Sequence, residues 1–341
     1  MGGLDDAMAD AVAGPAPAGA TSEDIDLRAA LRDASHGGKR FRPALVGAAH
    51  SWLSGRRPEA VPAVGAAVEL LHTAFVVHDD VIDGDRTRRG RPSMPERFRI
   101  QASEGGATDD AAHTYGLAGA VLTGDLALAA AVRGVATVPA PPEVVHRMLD
   151  LVDHALAVTA SGELADVRYA THGPWPSLAE VLSTEERKTA VYSFALPLQL
   201  GAVLADADDA RVAALADVGR HLGLAFQLQD DLLGVFGDER VTGKSTISDL
   251  REGKCTALVV HARGTAQWSA IEQHWGEPGL TAAGAAAVRS ALEEAGSRAF
   301  VEELVDDYVT AAAGCAAEVG LPEELVGWLG ELCLPQAWGA A

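Results

Sequence analysis

No asparagine occurs among the 341 residues, which excludes any ligand set that begins with an asparagine side chain. Cysteine is scarce. Cys255, Cys315 and Cys333 are odd in number, far apart and without a C-x-x-C pair, which argues against a disulfide framework and a zinc cluster. A reducing, cytoplasmic setting is expected. Positive charge is also short: 27 Lys+Arg stand against 48 Asp+Glu, a net charge of −21, so a nucleic-acid partner is not expected. The first residues carry Asp5, Asp6 and Asp10 in place of a basic n-region, so no secretory signal is expected. No transmembrane segment is expected either. The most apolar stretch, residues 117–138, is interrupted by Asp125, Arg133 and several glycines, and suits a buried core helix.

Alternating β-branched runs are scarce, whereas apolar residues recur three and four apart along most of the chain. The fold class is therefore all-α, with one domain as the simpler reading. Residues 1–22, rich in Ala, Gly, Pro and Asp, are expected to form a flexible leader, and residues 23–341 one domain. Val64, Val68, Leu71, Phe75 and Ile82 make one helical stripe, and Val212, Leu215, Leu222 and Phe226 make another that ends near Gly237. Further helices are expected near residues 117–137, 142–169 and 183–204, divided by Pro139-Ala140-Pro141 and Gly173-Pro174-Trp175-Pro176. Ser183 and Glu186 have the spacing of a capping box, and residues 92–115 read as a long loop.

Two acidic clusters close the two stripes. In His78-Asp79-Asp80-Val81-Ile82-Asp83 the three carboxylates share roughly one helix face, and His72 lies two turns earlier on that face. Like charges so spaced repel by about a few tenths of a kcal/mol per pair. A bound cation would offset that cost. The second cluster, Asp230-Asp231, follows Gln227 by three residues. Paired carboxylates beside apolar surface suit Mg²⁺, which keeps some waters and completes its octahedron with phosphate oxygens. The few cations are clustered as anion-binding parts would be: Lys39, Arg40 and Arg42; Arg86, Arg88, Arg89 and Arg91; and Lys244 with Lys254. Gly243-Lys244-Ser245 lacks the earlier glycine and the strand of a P-loop.

These motifs, in this order and spacing, resemble the trans-polyprenyl (isoprenyl) diphosphate synthase family, most closely its bacterial geranylgeranyl diphosphate synthases. The resemblance runs from about residue 28 to the last helices. It is carried by Gly38-Lys39-Arg40-Phe41-Arg42-Pro43, Leu70-Leu71-His72-Thr73, Asp79-Asp80-Val81-Ile82-Asp83, Arg88-Arg89-Gly90, Lys188-Thr189, Phe226-Gln227-Leu228-Gln229-Asp230-Asp231, Thr242-Gly243-Lys244 and Ser248-Asp249-Leu250-Arg251-Glu252-Gly253-Lys254.

It implies a homodimer of all-α subunits, each a single-domain bundle of about ten or more helices around a deep central cavity, that condenses isopentenyl diphosphate onto an allylic diphosphate with three Mg²⁺ ions. By position, Asp79, Asp80, Asp83, Asp230 and Asp231 would hold the metals, while Arg88, Lys188, Lys244 and Lys254 would neutralise the allylic diphosphate. Lys39, Arg42, His72 and Arg89 would bind isopentenyl diphosphate, and Thr189 and Gln227 would face the allylic cation. Asp79, Asp80, Lys188, Thr189 and Gln227 would thus carry catalysis. Asp166 would support the site.

Ala74 and Phe75, four to five residues before Asp79, would set the cavity floor and hence product length; geranylgeranyl diphosphate is expected. Gly234 departs from the family, which usually has a third aspartate there, so a metal would rely on Asp230, Asp231 and water, or on Asp238. A class I terpene cyclase shares the first motif, but its second motif usually begins with the missing asparagine. A metallophosphohydrolase of the HD type would need converging histidines, for which His50, His72 and His78 lack a matching later partner. A regulatory subunit would not be expected to keep these clusters.

Overall fold

The computed structural model describes residues 2–14, 19–53, 55–88, 90–171, 174–237 and 246–333. The fold is all-α, with more than ten helices among the described residues, as expected. Among the described residues the strands are the two-residue β1 (Thr87–Arg88) and β2 (Arg91–Pro92), paired antiparallel with Arg88 opposite Arg91. The chain divides into two compact units, Met1–Val152 with Leu200–Ala207, and Asp153–Gln199 with Asp208–Ala341. One domain over 23–341 is the expectation from sequence. Two of its boundaries, after Val152 and after Gln199, fall inside helices, and the third, after Ala207, falls in the short turn before Asp209.

In the first unit, α1 (Gly2–Ala13) occupies part of the expected leader and buries Met8 and Val12, four residues apart, against α4. Next come α2 (Ser22–Ala34), opened by a Thr21/Asp24 capping box, and α3 (Phe41–Trp52). α4 (Val61–Ile82) buries Val64, Val68 and Leu71, as its stripe predicts, whereas Ile82 is exposed at its end. Residues 92–115 are largely helical and not a loop. Ser93 caps α5 (Met94–Glu104) and Thr108 caps α6 (Asp109–Ala136), each hydroxyl accepting from a backbone N–H three residues on. α6 packs on α4 and α5 but leaves Tyr115, Val121, Leu122 and Leu126 exposed, so it is not wholly a core helix. By length and composition, the spans Pro58–Ile82 and Asp109–Ala136 could cross a membrane; the first has 67% of its apolar window buried inside the protein.

α7 (Pro142–Thr171) starts in the first unit and ends in the second. In the second unit, α8 (Leu178–Glu185) is opened by a capping box of Ser177 and Glu180, not by Ser183 and Glu186. Ser183 lies inside that helix, because Leu178, Val181 and Leu182 already continue its apolar face. A π-helical segment, Glu186–Ala195, leads into α9 (Leu196–Leu204). α10 (Asp209–Phe236) buries Val212, Leu215 and Leu222 and stops before Gly237.

The remaining helices are α11 (Ser248–Glu252), α12 (Ala257–Arg263), α13 (Trp268–Glu272), α14 (Ala282–Glu294), α15 (Ser297–Glu318) and α16 (Glu323–Cys333). Leu228, Leu232, Leu258, Ile271 and Leu292 belong to the core that joins them. Trp175 is a loop anchor there. Its ring lies 5.4 Å from Trp268 and 4.6 Å from Trp275, with the Arg263 guanidinium 4.6 Å over it.

Candidate active site

The C-terminus of α4 carries Asp79 and Asp80, with Asp83 as its cap residue. A helix C-terminus is already the negative end of the macrodipole, so carboxylates there require cations. Arg88 supplies one. The turn of β1 to β2 sets it beside α4, where Nε donates to Asp80 Oδ1 at 2.7 Å and Nη2 donates to Asp79 Oδ2 at 3.1 Å and Asp85 Oδ2 at 3.0 Å. Asp80 is only 3% exposed, and burial outweighs the attraction of Arg88, raising its pKa. Ligand oxygens of Asp79 and Asp83 lie within 4.8 Å of each other. His72 is half-buried on the same helix, and His78 Nε2 lies 3.6 Å from Asp125 Oδ1.

At the entrance to α3 the basic motif splits its roles. Lys39 is exposed to solvent, whereas Arg42 is 8% exposed with its guanidinium 4.3 Å over the Phe41 ring. Arg40 adopts φ +52° and reaches inward, donating to Glu69 Oε1 at 3.0 Å and to the Ser35 carbonyl at 2.7 Å. This part-buried ion pair had a signal in the sequence: Glu69 is the one charge inside the apolar run of α4. Of the two residues expected at a cavity floor, Ala74 is 1% exposed and packed inside the unit, while Phe75 is half-buried.

In the second unit, Lys188 and Thr189 sit on the π-helical segment, a form of helix that often marks functional sites. Gly162 of α7 permits the approach, since a Cβ there would lie 2.6 Å from the Lys188 backbone nitrogen. Lys188 Nζ consequently pairs with Asp166 Oδ2 at 2.7 Å and Glu163 Oε2 at 3.1 Å. Thr189 Oγ1 donates to Gln227 Oε1 at 3.2 Å, and Gln227 Nε2 donates to Asp231 Oδ1 at 3.0 Å. Two expected residues are thereby tied to a third.

Asp231 is 7% exposed, and its pKa is pushed up to about 7 by burial first and by the Asp249 charge second. Burial, with the adjacent Asp231, pushes Glu185 well above the usual carboxylate range. Glu185 Oε2 is sealed from solvent without a hydrogen-bond partner among the described residues. Lys254 Nζ lies 3.2 Å from Glu252 Oε2 and 3.7 Å from Asp249 Oδ1.

Glu185 and Asp249 carry no assigned role from sequence, yet both crowd the second cluster. Arg89, Lys244 and Asp238 lie outside the described residues. The chain has only four lysines, Lys39, Lys188, Lys244 and Lys254, and all four belong to the expected set, a signal available from a count. Among the described residues the donors gathered at both clusters are hard carboxylate oxygens, with no converging cysteine. That chemistry fits Mg²⁺.

The description Polyprenyl synthetase belongs to the family whose model matches residues 26–290. A geranylgeranyl diphosphate synthase of Sulfolobus acidocaldarius is 35% identical over 66% of this chain and 62% of its own length. The chain thus spans under two thirds of that relative. A geranylgeranyl diphosphate synthase of Mycobacterium tuberculosis is 33% identical over 86% of this chain and 79% of its own. Among solved structures, geranylgeranyl pyrophosphate synthase from Corynebacterium glutamicum, complexed with isoprenyl diphosphate and magnesium, superposes with a TM-score of 0.86 at 28% identity, covering 97% of this chain and 96% of that one.

Proposed function

This chain belongs to the polyprenyl synthetase family, and on that premise we propose that it condenses isopentenyl diphosphate head-to-tail with an allylic diphosphate, ending at geranylgeranyl diphosphate. The observation that carries the proposal is the pairing of chemistry at each cluster. A buried aspartate sits beside a positioned donor in both: Asp80 with Arg88, and Asp231 with Gln227, itself bonded to Thr189 beside Lys188.

Breaking the allylic C–O bond leaves a carbocation and a highly charged diphosphate, so rate enhancement comes from charges fixed where the leaving group develops. Mg²⁺, three ions when substrate is bound, supplies Lewis-acid neutralisation of that diphosphate. Asp79, Asp80, Asp83, Asp230 and Asp231 would hold it. Arg88, Lys188, Lys244 and Lys254 add fixed positive charge to the same group. Arg88 is already oriented by three carboxylates and Lys188 by two, so little ordering is left for catalysis.

Lys39, Arg42, His72 and Arg89 position isopentenyl diphosphate, whose double-bond carbon attacks the cation to form the new C–C bond. The departing diphosphate accepts the proton then lost. Thr189 Oγ1 and Gln227 Oε1 offer oxygens toward the cation. Phe75, the more accessible of the floor pair, limits chain length, with Ala74 behind it.

A second copy of the chain covers the exposed Val121, Leu122 and Leu126 face of α6, giving the homodimer. The free thiols Cys255 and Cys315 agree with a cytoplasmic location. The experiment is to incubate the purified protein with isopentenyl diphosphate, Mg²⁺ and dimethylallyl, geranyl or farnesyl diphosphate in turn, and to size the products by mass spectrometry. Linear twenty-carbon diphosphate is expected. Hydrocarbon free of diphosphate would point to a cyclase, and no turnover with any primer to a regulatory subunit.

A further inference from the structure

Among the described residues, three that are not glycine occupy the left-handed backbone region: Arg40 at φ +52°, Arg57 at φ +61° and Asp206 at φ +62°. A residue with a Cβ stays there only when its surroundings enforce it. Arg57 and Asp206 hold each other, Arg57 Nη2 donating to Asp206 Oδ1 at 2.8 Å and to Oδ2 at 3.0 Å. Arg40 is held from another helix. Its Nη1 donates to Glu69 Oε1 on α4 at 3.0 Å, and its Nη2 donates at 2.7 Å to the carbonyl of Ser35, the residue that closes α2. The side chain is thus turned away from capping α3, while the Arg40 carbonyl accepts from the Ala44 N–H and opens that helix.

The neighbours of this pair give it a role. Lys39 directly precedes Arg40, and Arg42 lies two residues after it in the first turn of α3. His72 follows Glu69 by three residues, one turn along the same face of α4. Three of the four residues assigned above to isopentenyl diphosphate therefore sit on the two segments that this one ion pair joins. We propose that Arg40 and Glu69 are positioning residues for isopentenyl diphosphate: their pair holds the left-handed turn that presents Lys39 and Arg42 in register with His72. The proposal rests on the polyprenyl synthetase reading, and it gives a task to two residues to which that reading assigns none.

Burial ties the pair to the site. Glu69 is 6% exposed, and its Oε2 has no hydrogen-bond partner among the described residues. Arg40 is the cation paired with that carboxylate there. A buried carboxylate stripped of its cation is costly, so another cation is drawn toward it. The next cations along the chain are Lys39 and Arg42, the ones the diphosphate needs. Loss of Arg40 would release the turn and pull substrate-binding charge toward Glu69.

The test is titration calorimetry of isopentenyl diphosphate alone into the full chain, with no allylic partner and hence no turnover. Steady-state KM for each substrate and thermal unfolding are measured alongside. Arg40→Gln and Glu69→Gln are each expected to weaken isopentenyl diphosphate binding by about tenfold to a hundredfold, the scale of a misplaced binding group, with KM for the allylic diphosphate unchanged. The double variant should lose no more than the worse single one, because both break one interaction. Arg40→Lys keeps the charge but gives up the fork that reaches Glu69 and Ser35 together, so its loss should be intermediate, and it carries the comparison if Arg40→Gln does not fold. Arg57→Gln is the control. It removes a like pair from a like turn past the other end of α3, and should bind isopentenyl diphosphate as the natural protein does.

A merely structural pair would lower the unfolding temperature and affect both substrates alike. Natural isopentenyl diphosphate affinity in both Arg40→Gln and Glu69→Gln would overturn the proposal, as would equal losses for the two substrates or an equal loss in Arg57→Gln. A natural protein that binds isopentenyl diphosphate without prenyl transfer sinks the proposed activity alone, since the titration still decides the pair. One that does not bind it overturns both.

Discussion

Replacing Arg88 by Gln removes the cation that faces Asp79, Asp80 and Asp85 and leaves their shape nearly unchanged. Breaking a fully buried ion pair costs about 3–5 kcal/mol, whereas exposed pairs contribute about 0–1 kcal/mol. Here the Asp80 side chain is 4% exposed and Arg88 36%, so the case lies between, and solvent screening of the guanidinium discounts the larger figure. A loss of about 2 kcal/mol at neutral pH is expected on that interpolation.

The pH dependence is the sharper signature. Asp80 already has a raised pKa, with burial as the largest cause and Arg88 opposing it, and the substitution raises it further. A carboxyl whose pKa rises on folding favours the folded state below its unfolded value and loses that contribution as pH rises through the folded value. The gap between the two proteins should therefore be small near pH 4 and widen toward pH 7 to 8. Urea unfolding in EDTA at three pH values would measure it, and millimolar Mg²⁺ should narrow the gap at neutral pH by supplying the missing charge. A gap that is constant with pH, or largest in acid, would refute the reasoning.

Lys188→Ala should lower prenyl-transfer kcat by about a hundredfold to a thousandfold, the cost of losing one fixed electrostatic stabiliser, with a smaller effect on KM in steady-state assays. Phe75→Ala should lengthen the product by at least one five-carbon unit by mass spectrometry. Ala74→Phe, at a position 1% exposed, should instead overpack the first unit and destabilise it by about 1–3 kcal/mol in chemical denaturation. Leu122→Glu with Leu126→Glu should shift the protein from dimer to monomer in sedimentation velocity, since both side chains are exposed on α6.

The parts of the fold set by periodicity were legible in the residues. Val64, Val68 and Leu71 on α4, and Val212, Leu215 and Leu222 on α10, mark helices whose ends carry the two acidic clusters. Local capping chemistry was ambiguous, because Ser177/Glu180 and Ser183/Glu186 share one spacing, and the choice fell to the apolar face beginning at Leu178. Residues 92–115 hold two helix starts, capped by Ser93 and Thr108, and the turn at Gly105-Gly106 between them masks both in the residue pattern.

The candidate site divides the same way. Carboxylates three and four apart on one helix could be read directly, as could Lys188 and Thr189 from their motif. The partners that fix them come from elsewhere in the chain: Arg88 from a hairpin and Asp166 from α7. Pairings across such separations leave no period in the sequence. The π-helical turn that carries Lys188 has no simple residue signature either.

The most direct measurement couples the two halves of the proposed reaction: inorganic diphosphate released against isopentenyl diphosphate incorporated, followed together in the natural protein and in Asp79→Asn and Asp231→Asn. Release and incorporation should match one to one, require Mg²⁺, and fall together in both variants while their circular dichroism stays unchanged. Diphosphate released without incorporation of isopentenyl units, or incorporation that survives loss of both aspartates, would contradict the assignment of these clusters to prenyl transfer.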